Sequence, residues 1–114
     1  MGSFNILLAD VTCSVCKKQY EGRIQFKYGN VSFREFRVGD SIMWGGNQIG
    51  SPDAKKVKVY GILEVELCPI CGQVNVDEEF DLYVINDLIT NILPIEDITC
   101  YLDEGTSEYV VQEA

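Results

Sequence analysis

Residues 57–72 read Val57-Lys58-Val59-Tyr60-Gly61-Ile62-Leu63-Glu64-Val65-Glu66-Leu67-Cys68-Pro69-Ile70-Cys71-Gly72. Val57, Val59, Gly61, Leu63, Val65 and Leu67 share one parity, and Lys58, Tyr60, Ile62, Glu64 and Glu66 share the other. A period of two places alternate side chains on opposite faces of a strand, so this stretch predicts a long strand running straight into a C-x-x-C pair. A second such pair, Cys13-Ser14-Val15-Cys16, follows a short apolar run from Ile6 to Cys13 that predicts another strand.

The same alternation extends through much of the chain. Ile24, Phe26 and Tyr28 alternate with Arg23, Gln25 and Lys27, Gly29-Asn30 reads as a turn, and Val31 and Phe33 continue the pattern. Phe36 and Val38 fall on the other parity, which implies a bulge near Arg34-Glu35 in a hairpin over about residues 22 to 38. From Gly39 to Asp53 the chain is rich in Gly, Asn, Ser and Pro and predicts one long loop around Ile42-Met43-Trp44. Val74 and Val76, then Phe80, Leu82 and Val84, alternate again, and Asn86-Asp87 is a two-residue turn. Residues 88–95 carry a helical spacing of Leu88, Ile89, Ile92 and Leu93, but Pro94 and the brevity of the run favour a returning strand. Residues 98–102 suggest a last edge strand, and the polar stretch 103–114 a loose tail.

Four cysteines at this spacing point to a metal. A two-residue spacer lets both sulfurs of a pair reach one ion, and Gly72 permits the backbone turn that follows. Cys13, Cys16, Cys68 and Cys71 together make a closed four-thiolate shell, the mark of a structural site holding one Zn2+ per chain. Closing the 51 residues between Cys16 and Cys68 costs about 3.5 kcal/mol in chain entropy. Structural zinc contributes on the order of 10 to 16 kcal/mol in zinc-finger peptides, so the metal term dominates. Iron in the same four sulfurs, as in rubredoxin-like electron transfer, is the competing reading. A thiol redox motif is another, but neither pair precedes the amphipathic helix that such a motif opens. Cys100 reads as a small buried hydrophobe rather than a ligand.

On these residues the chain resembles the zinc-ribbon and rubredoxin-like metal-binding β-ribbons. Cys68-Pro69-Ile70-Cys71-Gly72 matches the knuckle of that family, whereas the first pair lacks the proline and has Lys17 where glycine is usual. The resemblance covers the cysteines and the strands beside them, not residues 17–67, which exceed a usual ribbon insert. The chain is also similar to small bacterial proteins with paired C-x-x-C motifs, mostly without an assigned function, a likeness that implies no activity. The expected fold is therefore mainly β: a small antiparallel β domain with a four-cysteine zinc-ribbon-like site and a long inserted hairpin. Residues 1–102 form the single domain, with the insert at about 17–67.

Composition narrows the function. The 114 residues include no histidine, which removes the usual neutral-pH general base and every His-containing nucleophile arrangement or metal site. Carboxylates such as Glu64 and Glu66 show no acid and base pair at hydrolytic separation, so the expectation is a protein that is not an enzyme. No cleavable leader and no long apolar run is visible, which suggests a soluble, cytoplasmic protein with reduced thiols and no membrane contact.

The net charge is −9, unevenly distributed. Nine bases and four acids lie between Lys17 and Lys58, while thirteen acids and no base lie from Val59 onward. Nucleic acid is a poor match for this field, because the half flanking the second knuckle has the wrong sign and the basic residues have acidic strands of their own domain to pair with. A protein partner is the better expectation, one case being a basic protein that the chain neutralises in the manner of an immunity protein. Asp77, Glu78, Glu79 and Asp81 are the candidate acidic contacts. Trp44, the one tryptophan, is either an anchor at such an interface or the cover of one end of the core.

Overall fold

The computed structural model describes residues 4–46, 48–65, 67–74, 79–96, 99, 101 and 108–113. Its strands are β1 (Asn5–Thr12), β2 (Gln19–Phe26), β3 (Gly29–Asn30), β4 (Glu35–Arg37), β5 (Gln48–Ile49), β6 (Lys56–Leu63), β7 (Glu79–Ile85), β8 (Leu88–Pro94) and β9 (Tyr109–Glu113). The chain is thus mainly β, as its alternation requires. β3 and β5 pair apart from the rest, and the other seven strands form one sheet in the order β4-β1-β2-β6-β7-β8, with β9 added to β6. All neighbours are antiparallel except β1 and β4, which run parallel through Ile6, Leu7 and Leu8.

The sheet curls back on itself. The segment leaving β4 hydrogen-bonds the start of β8: Gly39 N–H donates to Ile89 O (2.7 Å), Ile89 N–H to Asp40 O (3.0 Å) and Ile42 N–H to Asp87 O (2.6 Å). The two ends of the strand order meet there, and the inward faces enclose Leu7, Ile24, Val59, Leu82 and Ile89, each fully buried. Burial of one such side chain stabilises by about 1.5 to 3 kcal/mol. β6 lies at the centre, paired with β7 along one edge and with β2 and β9, end to end, along the other. Gly61 makes that crowding possible, because a Cβ there would stand 2.6 Å from Leu82 Cδ1 and 2.7 Å from Ile24 Cγ2.

Several expectations hold. Ile6 to Cys13 is strand to Thr12, residues 88–95 return as β8, and Asn86 and Asp87 take φ of +50° and +65°, which closes a tight two-residue turn from Ile85 to Leu88. Four readings are corrected. Residues 22–38 do not fold back as a hairpin, because β2 pairs with β1 and β6 while residues 35–37 cross to the far edge of β1. Asn5 explains the detour: its buried side chain donates to Tyr28 O and Asn30 O and accepts from Ser32 N–H and Arg34 N–H, holding the intervening chain along β1. The strand at 57–67 ends at Leu63, and Leu67 pairs only with Val74 across the second knuckle. The tail is not loose at 109–113, where Tyr109, Val110 and Val111 add β9 to the free half of β6 and the Tyr109 ring packs 5.4 Å from Tyr28. Of the edge strand expected at 98–102, Thr99 and Tyr101 are helical and not strand, and the rest, Cys100 included, lies outside the described residues, as does Val76.

Candidate metal centre

The two C-x-x-C segments are built alike. The first is the turn between β1 and β2, closed by the pair Thr12 and Gln19; the second is closed by Leu67 and Val74. In the first, Cys13 N–H donates to Lys18 O (3.0 Å) and Lys17 N–H returns to Cys13 O (3.1 Å). In the second, Cys68 N–H donates to Gln73 O (2.9 Å) and Gly72 N–H returns to Cys68 O (2.8 Å). Val15 N–H and Ile70 N–H each point at the sulfur of the first cysteine of their own pair, both at 3.4 Å. Lys17 and Gly72 both take positive φ, +63° and +74°. The missing proline and glycine of the first pair therefore leave its backbone path unchanged.

The four ligand sulfurs converge to within 4.8 Å of one another. Cys13 Sγ and Cys71 Sγ are 3.7 Å apart, and Cys16 Sγ and Cys68 Sγ 3.8 Å. A tetrahedron with metal–sulfur bonds of about 2.3 Å has an edge of roughly 3.8 Å, so these separations suit a four-coordinate cation. The distances bring four sulfurs close enough to hold one cation and do not single out an element. Cys13 and Cys68 are buried, and Cys16 and Cys71 half-buried.

Electrostatics distinguish the sulfurs. Cys13 is lowered from 9.0 to about 6, chiefly by the Cys16 N–H aimed at its sulfur, then against burial and with further help from Val15 N–H. At Cys71 the Gln73 N–H favours thiolate, but burial and the thiols of Cys13, Cys68 and Cys16 outweigh it and push the group up to about 11. Of these two sulfurs, Cys13 is thus the more readily ionised.

Of the expected partner-binding acids, the structure describes Glu79 and Asp81, and neither is an exposed carboxylate. Asp81 is 1% exposed, and its Oδ1 accepts a hydrogen bond from Tyr101 Oη, so burial on β7 removes it from any surface contact. Glu79 is half-buried and accepts from Tyr60 Oη at 2.6 Å. Asp77 and Glu78 lie outside the described residues. Trp44 is half-buried, with its ring edge-on to Tyr28 at 5.3 Å and packed on the core. On the basic side, Arg23 meets Glu35 at 2.9 Å and Glu64 at 3.5 Å, and Arg37 meets Glu21 at 2.9 Å. These exposed pairs add little stability, but they place carboxylates on the guanidiniums that a phosphate backbone would need.

Two features escaped the sequence. Lys58 and Tyr101 converge on Asp81, which no spacing reveals because they come from β6 and from the chain beyond β8. Five aliphatic side chains, Val15, Val65, Leu67, Ile70 and Val74, stand exposed around the knuckles, although Val65 and Leu67 share the parity of the buried Val57, Val59 and Leu63. The third residue of each C-x-x-C pair, Val15 and Ile70, was the available signal.

Comparison with models of protein families, with curated proteins and with solved structures finds no match in any of the three. Among the described residues, no helix is long and apolar enough to cross a membrane.

Proposed function

We infer that the chain is a metal-stapled protein-binding module, with one zinc ion held by Cys13, Cys16, Cys68 and Cys71 in a structural role. The observation that carries this reading is the matched pair of knuckles, whose four sulfurs lie within 4.8 Å of one another. A closed thiolate shell leaves no position for water or substrate, so the ion ties the β1–β2 turn to the 67–74 turn and does no chemistry. The fold's charge, −9 with thirteen acids from Val59 onward, favours a basic protein as partner over nucleic acid.

Native mass spectrometry with elemental analysis on purified protein tests the metal. One zinc per chain, no visible colour and cooperative unfolding on chelation support the reading. One iron per chain with a visible charge-transfer band turns it into electron transfer by the same sulfurs. Absence of any metal with intact folded protein removes it. For the partner, salt-sensitive binding of a basic protein is expected, and turnover of a small molecule without such binding would replace the module with an enzyme.

A further inference from the structure

The curled sheet is open above β4. β1 pairs with β2 along its whole length, and on its other edge β4 covers only Ile6, Leu7 and Leu8, with Ile6 N–H donating to Arg34 O (2.9 Å). Main-chain groups alternate between the two edges of a strand, so Asp10, like Ile6 and Leu8, turns its N–H and C=O away from β2. β4 does not reach it. Asp40 N–H donates to Arg37 O (3.0 Å) and Asp40 Oδ2 accepts from Arg37 N–H (2.8 Å), which closes a turn in which Gly39 takes φ of +103°. Across the opening stands β8, whose pairing with the segment after β4 reaches no further than Ile89. Ile95 N–H donates to Glu79 O on β7, and by the same alternation Ile92 faces outward. Its N–H meets only the side chain of the adjacent Asn91, at 2.8 Å. Among the described residues, the N–H and C=O of Asp10 and the C=O of Ile92 have no main-chain partner.

Between these two edges lies a groove of about 400 Å³, with Leu8, Ala9, Val38 and Ile92 as its apolar lining and Asp10, Glu21 and Arg37 as its polar one. Volume alone would admit a small molecule. The polar side chains do not favour one, because Arg37 is committed to Glu21 at 2.9 Å. What the groove offers instead is main chain, at the spacing of a strand, and an extended peptide is the ligand that answers it in kind. Charge selects nothing here, since the lining carries both signs. Shape selects a single chain: the edge of a folded second copy stays joined to its own sheet, whereas this groove is walled by β1 on one side and β8 on the other. We propose that one extended segment of a partner protein adds to β1 beyond Leu8, in the row that β4 begins. Its main chain pairs with Asp10, and an aliphatic side chain packs against Val38 and Ile92.

The proposal rests on the reading of the chain as a protein-binding module and gives that module a mode of binding. NMR of the isotope-labelled full chain, its metal content measured, follows the Asp10 amide as a capped peptide of alternating valine and threonine between lysine ends is added. In the free chain the Asp10 N–H should exchange with solvent faster than those of Ala9 and Val11, which face β2. With the peptide it should shift and become protected. Two further peptides carry N-methyl groups on alternate residues, one parity in each, and the one methylated on the residues that face β1 should bind about tenfold more weakly. Val38→Trp, which fills the groove, should weaken binding by a similar factor at an unchanged thermal midpoint, and Val65→Trp, at an exposed valine elsewhere, should not. Equal binding of all three peptides makes the contact one of side chains and overturns the proposal, as does a peptide that leaves the Asp10 amide unmoved. An Asp10 amide already protected in the free chain means that the edge is taken by this chain or by a second copy, and overturns it as well. None of these outcomes decides the module reading, which fails if no basic protein binds in a salt-sensitive way.

Discussion

Lys17 and Gly72 stand at the same place in the two knuckles, four residues after the first cysteine, and both hold positive φ. Glycine takes this conformation without penalty, whereas a side chain with a Cβ costs about 1 to 2 kcal/mol. Lys17→Gly relieves that strain but adds freedom to the unfolded chain, so the net gain is about 1 kcal/mol or less. Gly72→Ala introduces the strain and lowers stability by about 1 kcal/mol or more. Thermal unfolding of the metal-loaded variants checks both signs. Destabilisation by Lys17→Gly as large as that by Gly72→Ala would mean that the Lys17 side chain, not its backbone, matters to the first knuckle.

Asn5 is the residue that routes the chain between β2 and β4. Its amide serves two carbonyls, those of Tyr28 and Asn30, and two N–H groups, those of Ser32 and Arg34, all from a buried position. Asn5→Ala removes a fully buried side chain from four bonds, three of them part-buried, and a loss of about 2 to 3 kcal/mol is expected. Asn5→Asp keeps the acceptor but sets a charge against two carbonyl oxygens, so it should not rescue. Urea unfolding measures the difference, with the exposed Thr90→Ala as reference.

This network also marks where sequence reading stops. Alternation finds a strand by its own side chains, so β6 and β7 were legible from Val59 and Leu82, while β1 was read from its apolar run and β8 from Pro94 and its brevity against a helical spacing. The knuckles were legible because ligand spacing is local. Partnership is not local: nothing in Ile24-Gln25-Phe26 says that it pairs with β1 and with β6 rather than with the chain just beyond Gly29, and the deciding group is an asparagine twenty residues earlier. The polar composition of residues 103–114 likewise hid Tyr109-Val110-Val111, whose place depends on β6 offering an edge that β2 covers only from Gly61 onward. At the site, surface acids and a buried acid look the same in sequence, and Asp81 was misread for that reason.

Glu108 gives a pH signature. Burial raises its pKa above the ordinary carboxylate value, with Lys27 acting in the opposite direction. An acid whose pKa is raised in the folded state favours folding when protonated, so that contribution is complete below the unfolded pKa and is lost as pH rises through the folded value. At neutral pH the charge is therefore a burden, and Glu108→Gln should be slightly more stable, by a few tenths of a kcal/mol at a position that solvent still reaches. The advantage should shrink on acidification and vanish below about pH 4. Melting temperatures of both proteins across this range provide the check. A difference that persists unchanged in acid would place the effect in packing instead of titration.

Asp81, Tyr101 and Lys58 form a buried lock on the outer face of β6 and β7. Tyr101 Oη donates to Asp81 Oδ1, Lys58 Nζ lies 3.9 Å from Oδ2, and the Tyr101 ring stands edge-on to Tyr60 at 5.5 Å. Among the described residues Oδ2 accepts no hydrogen bond, so the carboxylate depends on Tyr101 and on the ammonium of Lys58. Removing one partner should therefore be worse than removing the carboxylate with it. Tyr101→Phe leaves Asp81 buried with its Oδ1 unpaired and is expected to lose about 2 to 3 kcal/mol. Asp81→Leu takes the carboxylate away from the Lys58 ammonium and the Tyr101 hydroxyl, with a loss of about 3 kcal/mol expected. Asp81→Leu combined with Tyr101→Phe and Lys58→Met replaces the polar group by apolar volume, and its loss should be smaller than that of Asp81→Leu alone. Additive losses across the series, measured by chemical denaturation, would show that the three side chains pack independently and that no lock exists.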